Sequence, residues 1–376
     1  MDISIAKEVS LNENRVALTP AAVRTLVRFG HNVNIETNAG VAAGFTDEMF
    51  SNVGAKIVFS KDEAFKRCKL LLKIFPPSLE EFQLLTENQI VFSYLYLAAA
   101  REEGINILRE CGITAIGMEI IEDDHGQLPV LTSQSELAGQ MAIPIASYYL
   151  SNVGGGRGIL LGGAAGVPPA TVTILGAGTV GINAARTARG IGCNVILIDS
   201  SLDRLRYAND LFCRQIVTYL PNRFNLEKIL PFSDVVIGAV LIHGEITPKL
   251  VTEDIVKTMK PGAVVLDVAI DHGGCFETSH PTNWVSPTYK LHGVTHFCVP
   301  NMPSDVGRTA TYALVNATLP YIASIANNGL EKAINVDPGL ARGVYTFHGK
   351  VTNASISKRF KFEHTPLYEL IGGGQE

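Results

Sequence analysis

The chain has 376 residues, with 36 acidic against 31 basic side chains and a formal charge of −5. That balance gives no basic footprint for nucleic acid or an anionic membrane, and no uninterrupted apolar run approaches a bilayer span. Hydrophobic residues make up 47% and the six cysteines form no CxxC pair, so large buried cores are expected in a reducing cytoplasm, with neither disulfides nor metal.

Residues 2–6 read as a short strand. A polar loop follows and ends on Thr19 and Pro20, a helix N-cap with proline at the first helical position. Residues 21–29 then give an amphipathic helix, Gly30 stops it, and 31–36 form a second strand. This order opens an α/β layer. Arg15 stands after the first strand, at the carboxyl end of the sheet where such layers bind ligands. Apolar runs at 69–75, 89–97 and 113–118 supply further strands, the first stopped by Pro76 and Pro77. Residues 1–130 thus make one α/β unit without a glycine fingerprint. Residues 132–136 read as the cap of a long small-residue helix, 137–150.

The next stretch organises the chain. An apolar run at 170–175 leads into Gly176-Ala177-Gly178-Thr179-Val180-Gly181, a small-residue helix to 191 follows, and a second apolar run, 193–198, ends on Asp199. Strand, glycine turn, helix, strand and acidic end are the parts of a dinucleotide site. Gly176 permits the tight turn, Gly178 lets the backbone approach a pyrophosphate, and Gly181 lets helix and strand pack closely. The helix start offers N–H groups and a positive dipole end to phosphate. A carboxylate at Asp199 accepts from ribose hydroxyls and repels a 2′-phosphate, which favours NAD over NADP.

Small residues at the end of the run 234–239 leave room for the nicotinamide ribose. Residues 263–271 read as a buried strand that presents Asp271 at its carboxyl end, followed by His272 and two glycines. Prolines stiffen 300–303, residues 304–326 form a second long helix, and 343–347 return as an extended segment. The expected architecture is α/β: two Rossmann-like doubly wound domains with a cleft between them. The NAD-binding domain, 131–307, is inserted in the middle of a substrate domain made of 1–130 and 308–376.

Taken together, the segments 14–20, 135–139, 176–181, 267–277 and 298–303 resemble the alanine dehydrogenase/transhydrogenase family, over about residues 1–352. The resemblance implies NAD, reversible oxidative deamination of a small amino acid, and a homo-oligomer, commonly a hexamer. It places Arg15 on the substrate carboxylate and Asp271 at the catalytic centre. Around the cofactor it places Ser135, Asp199, Arg204, Ala239, Val240, Asn301 and Met302, beside Gly176, Gly178, Val180 and Gly181 of the fingerprint.

Three positions depart from what the resemblance implies. Phe75 stands where the family has a substrate-binding lysine, Tyr96 where it has an acid/base histidine, and His272 where glutamine follows the catalytic aspartate. Lys73 is a lysine that the family also has; in a strand it would share a face with Phe75. Tyrosine titrates near pH 10 when unperturbed, so Tyr96 serves better as a hydrogen-bond or proton donor than as a base. Three readings follow. The favoured one is an NAD-dependent oxidoreductase acting on an amino acid, imine or oxo acid other than L-alanine. In that reading Arg15, Lys73 and Phe75 form the substrate pocket, and Asp271, Tyr96 and His272 the catalytic set. The second is a working L-alanine dehydrogenase. The third is a catalytically silent NAD-binding protein.

Overall fold

Short apolar runs bounded by glycine, proline and charge become strands buried on both faces, the pattern of parallel sheets. The computed structural model describes residues 1–97, 100–241 and 247–371. In chain order the strands are β1 (Asp2–Ile5), β2 (Asn32–Glu36), β3 (Lys56–Val58), β4 (Leu70–Leu72), β5 (Ile90–Ser93), β6 (Thr114–Gly117), β7 (Thr171–Leu175), β8 (Asn194–Ile198), β9 (Val217–Tyr219), β10 (Val235–Gly238), β11 (Val264–Asp267), β12 (Thr288–Leu291), β13 (Val294–Phe297), β14 (Val344–Phe347) and β15 (Lys350–Val351). The chain divides into two compact units, Met1–Gln134 with Ser304–Glu376, and Ser135–Pro303.

The first unit carries an eight-stranded sheet in the order β15-β14-β6-β5-β4-β1-β2-β3. Strands β1 to β6 are parallel; β14 and β15 add an antiparallel edge. From β1 the chain winds outward through β2 and β3, then crosses to β4 and winds the other way. The switch point lies between β1 and β4, where open α/β sheets leave a crevice at the strands' carboxyl ends. Alternation along the strands fills two cores: Ile3, Ile5, Leu70 and Leu72 pack on one face, Leu71 and Val91 on the other.

The second unit repeats the winding, in the order β12-β13-β11-β10-β7-β8-β9 with only β12 antiparallel. Its switch point lies between β7 and β10. Val172, Ile174, Ile237 and Leu266 pack on one face, Leu175, Val236 and Val265 on the other. Among the described residues no helix is long and apolar enough to cross a membrane.

Two expectations are corrected. The long helix does not start after a cap at 132–136 but runs Pro129–Leu150, so those polar residues lie inside its first turns. Proline suits the first helical position, and Ser133 Oγ satisfies itself by donating to Val130 O at 2.7 Å. The strand expected over 263–271 stops at Asp267, and Asp271 lies on a 3-10 turn, Val268–His272. The cause is Asp267, 1% exposed, whose Oδ2 accepts from the Cys275 and Phe276 N–H groups at 2.9 and 3.3 Å. Those bonds draw the glycine turn back against the strand end.

Candidate active site

In the second unit the glycine turn joins β7 to the helix Thr179–Ile191. Gly176 has φ +104°, and a Cβ there would stand 2.5 Å from Ala239 O. Glycine is therefore required both by the turn and by the end of β10. A Cβ on Gly181 would lie 1.8 Å from Gly176 O, whereas one on Gly178 would meet nothing within 4 Å. The open side of Gly178 is the cradle that close backbone approach to a pyrophosphate needs. Gly178 is also the helix N-cap and gives no side-chain hydrogen bond, so it covers none of the first-turn N–H groups that suit an anion.

Asp199 is 7% exposed and ties the turn together. Its Oδ2 accepts from Ala177 N at 2.7 Å, and its Oδ1 accepts from Ser201 N at 2.7 Å. A carboxylate oxygen has a second lone pair, so these bonds aim the group without exhausting it. Arg204 Nη1 stands 3.8 Å from Asp199 Oδ2 on a largely exposed side chain. Ser135 is half-buried, Ala239 buried and Val240 half-buried. A Cβ on Gly139 would come within 2.3 Å of Val180 O, which explains the glycine of the segment 135–139. These residues fit NAD.

Asp271 is exposed and His272 half-buried. Asn301, at φ +52°, donates its N–H to Asp271 Oδ1 at 3.0 Å and to Oδ2 at 3.3 Å. Met302 is 2% exposed and opens a 3-10 turn, Met302–Val306. The second unit thus brings Asp271 and Asn301 together. The His272 carbonyl accepts from Thr247 N at 2.9 Å. Asp267 is kept above the usual carboxylate range by burial, and burial beside Asp267 raises the Cys275 thiol well above its ordinary value. That pair is part of the frame.

In the first unit Arg15 follows β1 and is 4% exposed. Its Nε and Nη2 donate to Glu13 Oε1 and Oε2 at 2.8 and 2.6 Å, a forked pair, and its Nη1 donates to Gln134 Oε1 at 2.9 Å. Burial pulls the guanidinium pKa down, but the Glu13 carboxylate beside it wins and the net shift is upward. Gln134 Nε2 donates in turn to Ala310 O and Ser133 Oγ, both at 3.2 Å. Tyr94 and Tyr96 stack with ring centroids 5.9 Å apart and planes 9° apart. Both lie near enough to Arg15 to act on its charge.

Strand alternation does not govern Lys73 and Phe75, which lie past the strand. Strand β4 ends at Leu72, and Phe75 packs with Tyr96 against the core that holds Ile74 and Tyr94. Lys73 has no solvent exposure; its Nζ is 3.3 Å from Glu81 Oε2 and 3.5 Å from Glu8 Oε2. Glu8 also accepts from the Ile74 and Phe75 N–H groups at 2.6 and 3.3 Å, and burial raises its pKa against the pull of Lys73. Lys73 is thus placed as the counter-ion of two buried carboxylates.

Strand β5 stops at Ser93, short of the expected run 89–97, and Tyr96 stands three residues beyond it in a left-handed conformation, φ +45°. Glu119, 6% exposed, accepts from Leu95 N at 3.0 Å and Tyr96 N at 2.6 Å. Burial holds its carboxyl above the usual range. Sequence reading missed Glu13, Tyr94, Glu119 and Gln134. Glu13 carried a signal, lying two residues from Arg15 in a segment already singled out. Glu119 and Gln134 become visible only through contacts across the sheet and between helices.

The chain is similar to known proteins over nearly its whole length. Residues 4–138 match the model of the alanine dehydrogenase/PNT N-terminal domain, and residues 142–354 that of the alanine dehydrogenase/PNT C-terminal domain. An alanine dehydrogenase of Methanococcus maripaludis is 43% identical over 372 residues, 99% of this chain and 100% of that protein. One of Bacillus subtilis is also 43% identical, over 99% of this chain and 98% of its own. A solved L-alanine dehydrogenase structure superposes with a TM-score of 0.92 at 42% identity, covering 96% of this chain and 99% of that one.

Proposed function

Because the chain belongs to the alanine dehydrogenase/PNT family, we propose that it is a working L-alanine dehydrogenase. The wider class is an NAD-dependent oxidoreductase acting on a CH–NH2 group. The carrying observation is 43% identity over 99% of the chain to relatives named alanine dehydrogenase. The reading that set L-alanine aside is given up. It rested on Phe75, Tyr96 and His272, and three positions do not outweigh that likeness.

The reaction converts L-alanine, water and NAD into pyruvate, ammonia and NADH. Bound NAD supplies the acceptor for the hydride that leaves the α-carbon. Gly176, Gly178, Val180 and Gly181 would hold its pyrophosphate, Asp199 and Arg204 its adenosine ribose, and Ser135, Ala239, Val240, Asn301 and Met302 the rest. Arg15, already oriented by Glu13 and Gln134, holds the substrate carboxylate by charge-assisted hydrogen bonds. Asp271 takes the proton from the substrate ammonium, releases it to solvent, and then takes the proton of the water that attacks the imine carbon. Tyr96 donates a proton to the substrate nitrogen and recovers one from the adjacent hydroxyl as the carbonyl forms and ammonia leaves, and Phe75 keeps water from that side. His272 orients the turn that carries Asp271.

NADH absorbance with L-alanine at alkaline pH, beside an established alanine dehydrogenase, tests this. Turnover near the reference supports it. NAD binding with turnover only on another amino acid restores the abandoned reading, and NAD binding without any turnover makes the protein a silent binder. A homo-oligomer, a hexamer by the family resemblance, belongs to the same proposal; light scattering tests it.

A further inference from the structure

Glu119 lies just past the end of β6, on the 3-10 turn Met118–Ile120. Its carboxylate gathers three donors. Two are consecutive backbone N–H groups, Leu95 and Tyr96, at 3.0 and 2.6 Å. The third is the Tyr345 hydroxyl, 2.8 Å from Oε1. Consecutive N–H groups converge on one anion when the backbone turns left-handed, and Tyr96 is the residue that makes this turn, at φ +45°. Residues with a Cβ rarely adopt that conformation, so something must hold it.

Two further features serve the same carboxylate. The pairing of β14 with β6 shifts register between Val344 and Thr346, which makes Tyr345 the irregular residue; such bulges re-aim side chains. Gly117 then admits the ring: a Cβ there would stand 2.4 Å from Tyr345 Cε2 and 3.0 Å from Glu119 Oε1. Its φ of −88° is open to any residue, so closeness to Tyr345, and not backbone freedom, calls for glycine. A bulge, a glycine and a buried phenol are thus arranged around one carboxylate, and that carboxylate grips the backbone of Tyr96.

We infer that Glu119, oriented by Tyr345, is a positioning residue that fixes the backbone turn at Tyr96 and so aims the Tyr96 hydroxyl at the substrate. The inference rests on the reading of Tyr96 as the proton donor. Glu119 touches no reacting atom itself. Glu119→Gln keeps the size but loses one of the two oxygens that accept the paired N–H groups.

The test is a double-mutant cycle with Tyr96→Phe, read by steady-state kinetics with L-alanine and by amide hydrogen exchange. Tyr96→Phe should lower kcat about a hundredfold. Glu119→Gln alone should lower kcat about tenfold, leave the KM for NAD unchanged and speed exchange at the Leu95 and Tyr96 amides. In the Tyr96→Phe background it should cost no further activity. Equal losses in both backgrounds would mean that Glu119 supports the fold at large, and the inference falls. If Tyr96→Phe keeps full activity, the proton-donor reading fails and takes the inference with it; that single variant tells the two failures apart. Should Glu119→Gln not fold, Tyr345→Phe replaces it in the same cycle. Its loss must likewise vanish beside Tyr96→Phe, and no loss at all overturns the role of Tyr345.

Discussion

Gln134 Oε1 accepts a hydrogen bond from Arg15 Nη1 at 2.9 Å, while Glu13 takes the guanidinium's other edge through a fork of 2.8 and 2.6 Å. One acceptor is charged and the other neutral. Gln134 therefore steers the guanidinium without cancelling more of its charge. A hydrogen bond to a charged group contributes about 1.5–3 kcal/mol. Gln134→Ala should raise the KM for L-alanine by about tenfold or more, with NAD affinity unchanged because Gln134 belongs to the first unit. Steady-state kinetics and an NAD titration by calorimetry check both halves. An unchanged KM would remove Gln134 from the carboxylate site.

The fingerprint glycines separate cofactor binding from folding. A Cβ on Gly178 meets nothing within 4 Å and one on Gly181 stands 1.8 Å from a carbonyl oxygen. Gly178→Val should keep the melting temperature of the NAD-free protein and abolish NAD binding. Gly181→Val should lower the melting temperature itself, since overpacking against backbone costs about 1–3 kcal/mol or more. Equal melting temperatures for the two variants would contradict the packing role of Gly181. Undiminished NAD affinity in Gly178→Val would remove the cofactor from this turn.

Lys73 faces Glu8 and Glu81 at 3.5 and 3.3 Å with no solvent exposure. Removing Lys73 takes the cation from Glu8, while Lys61 Nζ still stands 3.3 Å from Glu81 Oε1; breaking a buried ion pair in this way typically costs about 3–5 kcal/mol. Lys73→Met should therefore destabilise the protein strongly in chemical denaturation, yet leave the KM for L-alanine of the folded fraction close to the parent's. A raised KM with stability intact would return Lys73 to the substrate.

Much of this was legible in the sequence because it depends on local signals. The Thr19 cap with Pro20, the short apolar runs that hold the strands and the glycine turn ending on Asp199 are each written in adjacent residues, and each appears. What failed depended on partners far along the chain. The run 263–271 looks like one strand, but Asp267 ends it by binding the N–H groups of Cys275 and Phe276. Lys73 and Phe75 are two apart, but alternation means nothing once β4 has stopped at Leu72. The restraint on Tyr96 comes from Glu119, 23 residues away, and from Tyr345, a further 226 away from Glu119, and no periodicity announces either.

His296 supplies a pH dependence whose sign can be worked out. It is fully buried on β13. Its Nε2 lies 2.9 Å from Thr278 Oγ1 and its Nδ1 3.2 Å from Val294 O. A carbonyl only accepts, so Nδ1 carries the proton and neutral Nε2 accepts from the threonine hydroxyl. Burial lowers its pKa from 6.5 to about 4. Between those values the unfolded chain binds the extra proton and the folded protein does not. The stabilisation is therefore full above pH 6.5 and is lost as pH falls toward 4, by roughly 3 kcal/mol in all. Glu8, Glu119 and Asp267 are shifted upward by burial. Their contribution has the opposite sign, growing as pH falls, so the His296 part must be isolated by difference. His296→Gln removes the titration. Denaturant unfolding of parent and variant at several pH values from neutral to acid should show the parent losing more stability than the variant across that window. Parallel curves would mean that His296 titrates alike in the folded and unfolded protein, and the assignment of Nε2 as acceptor from Thr278 would be wrong.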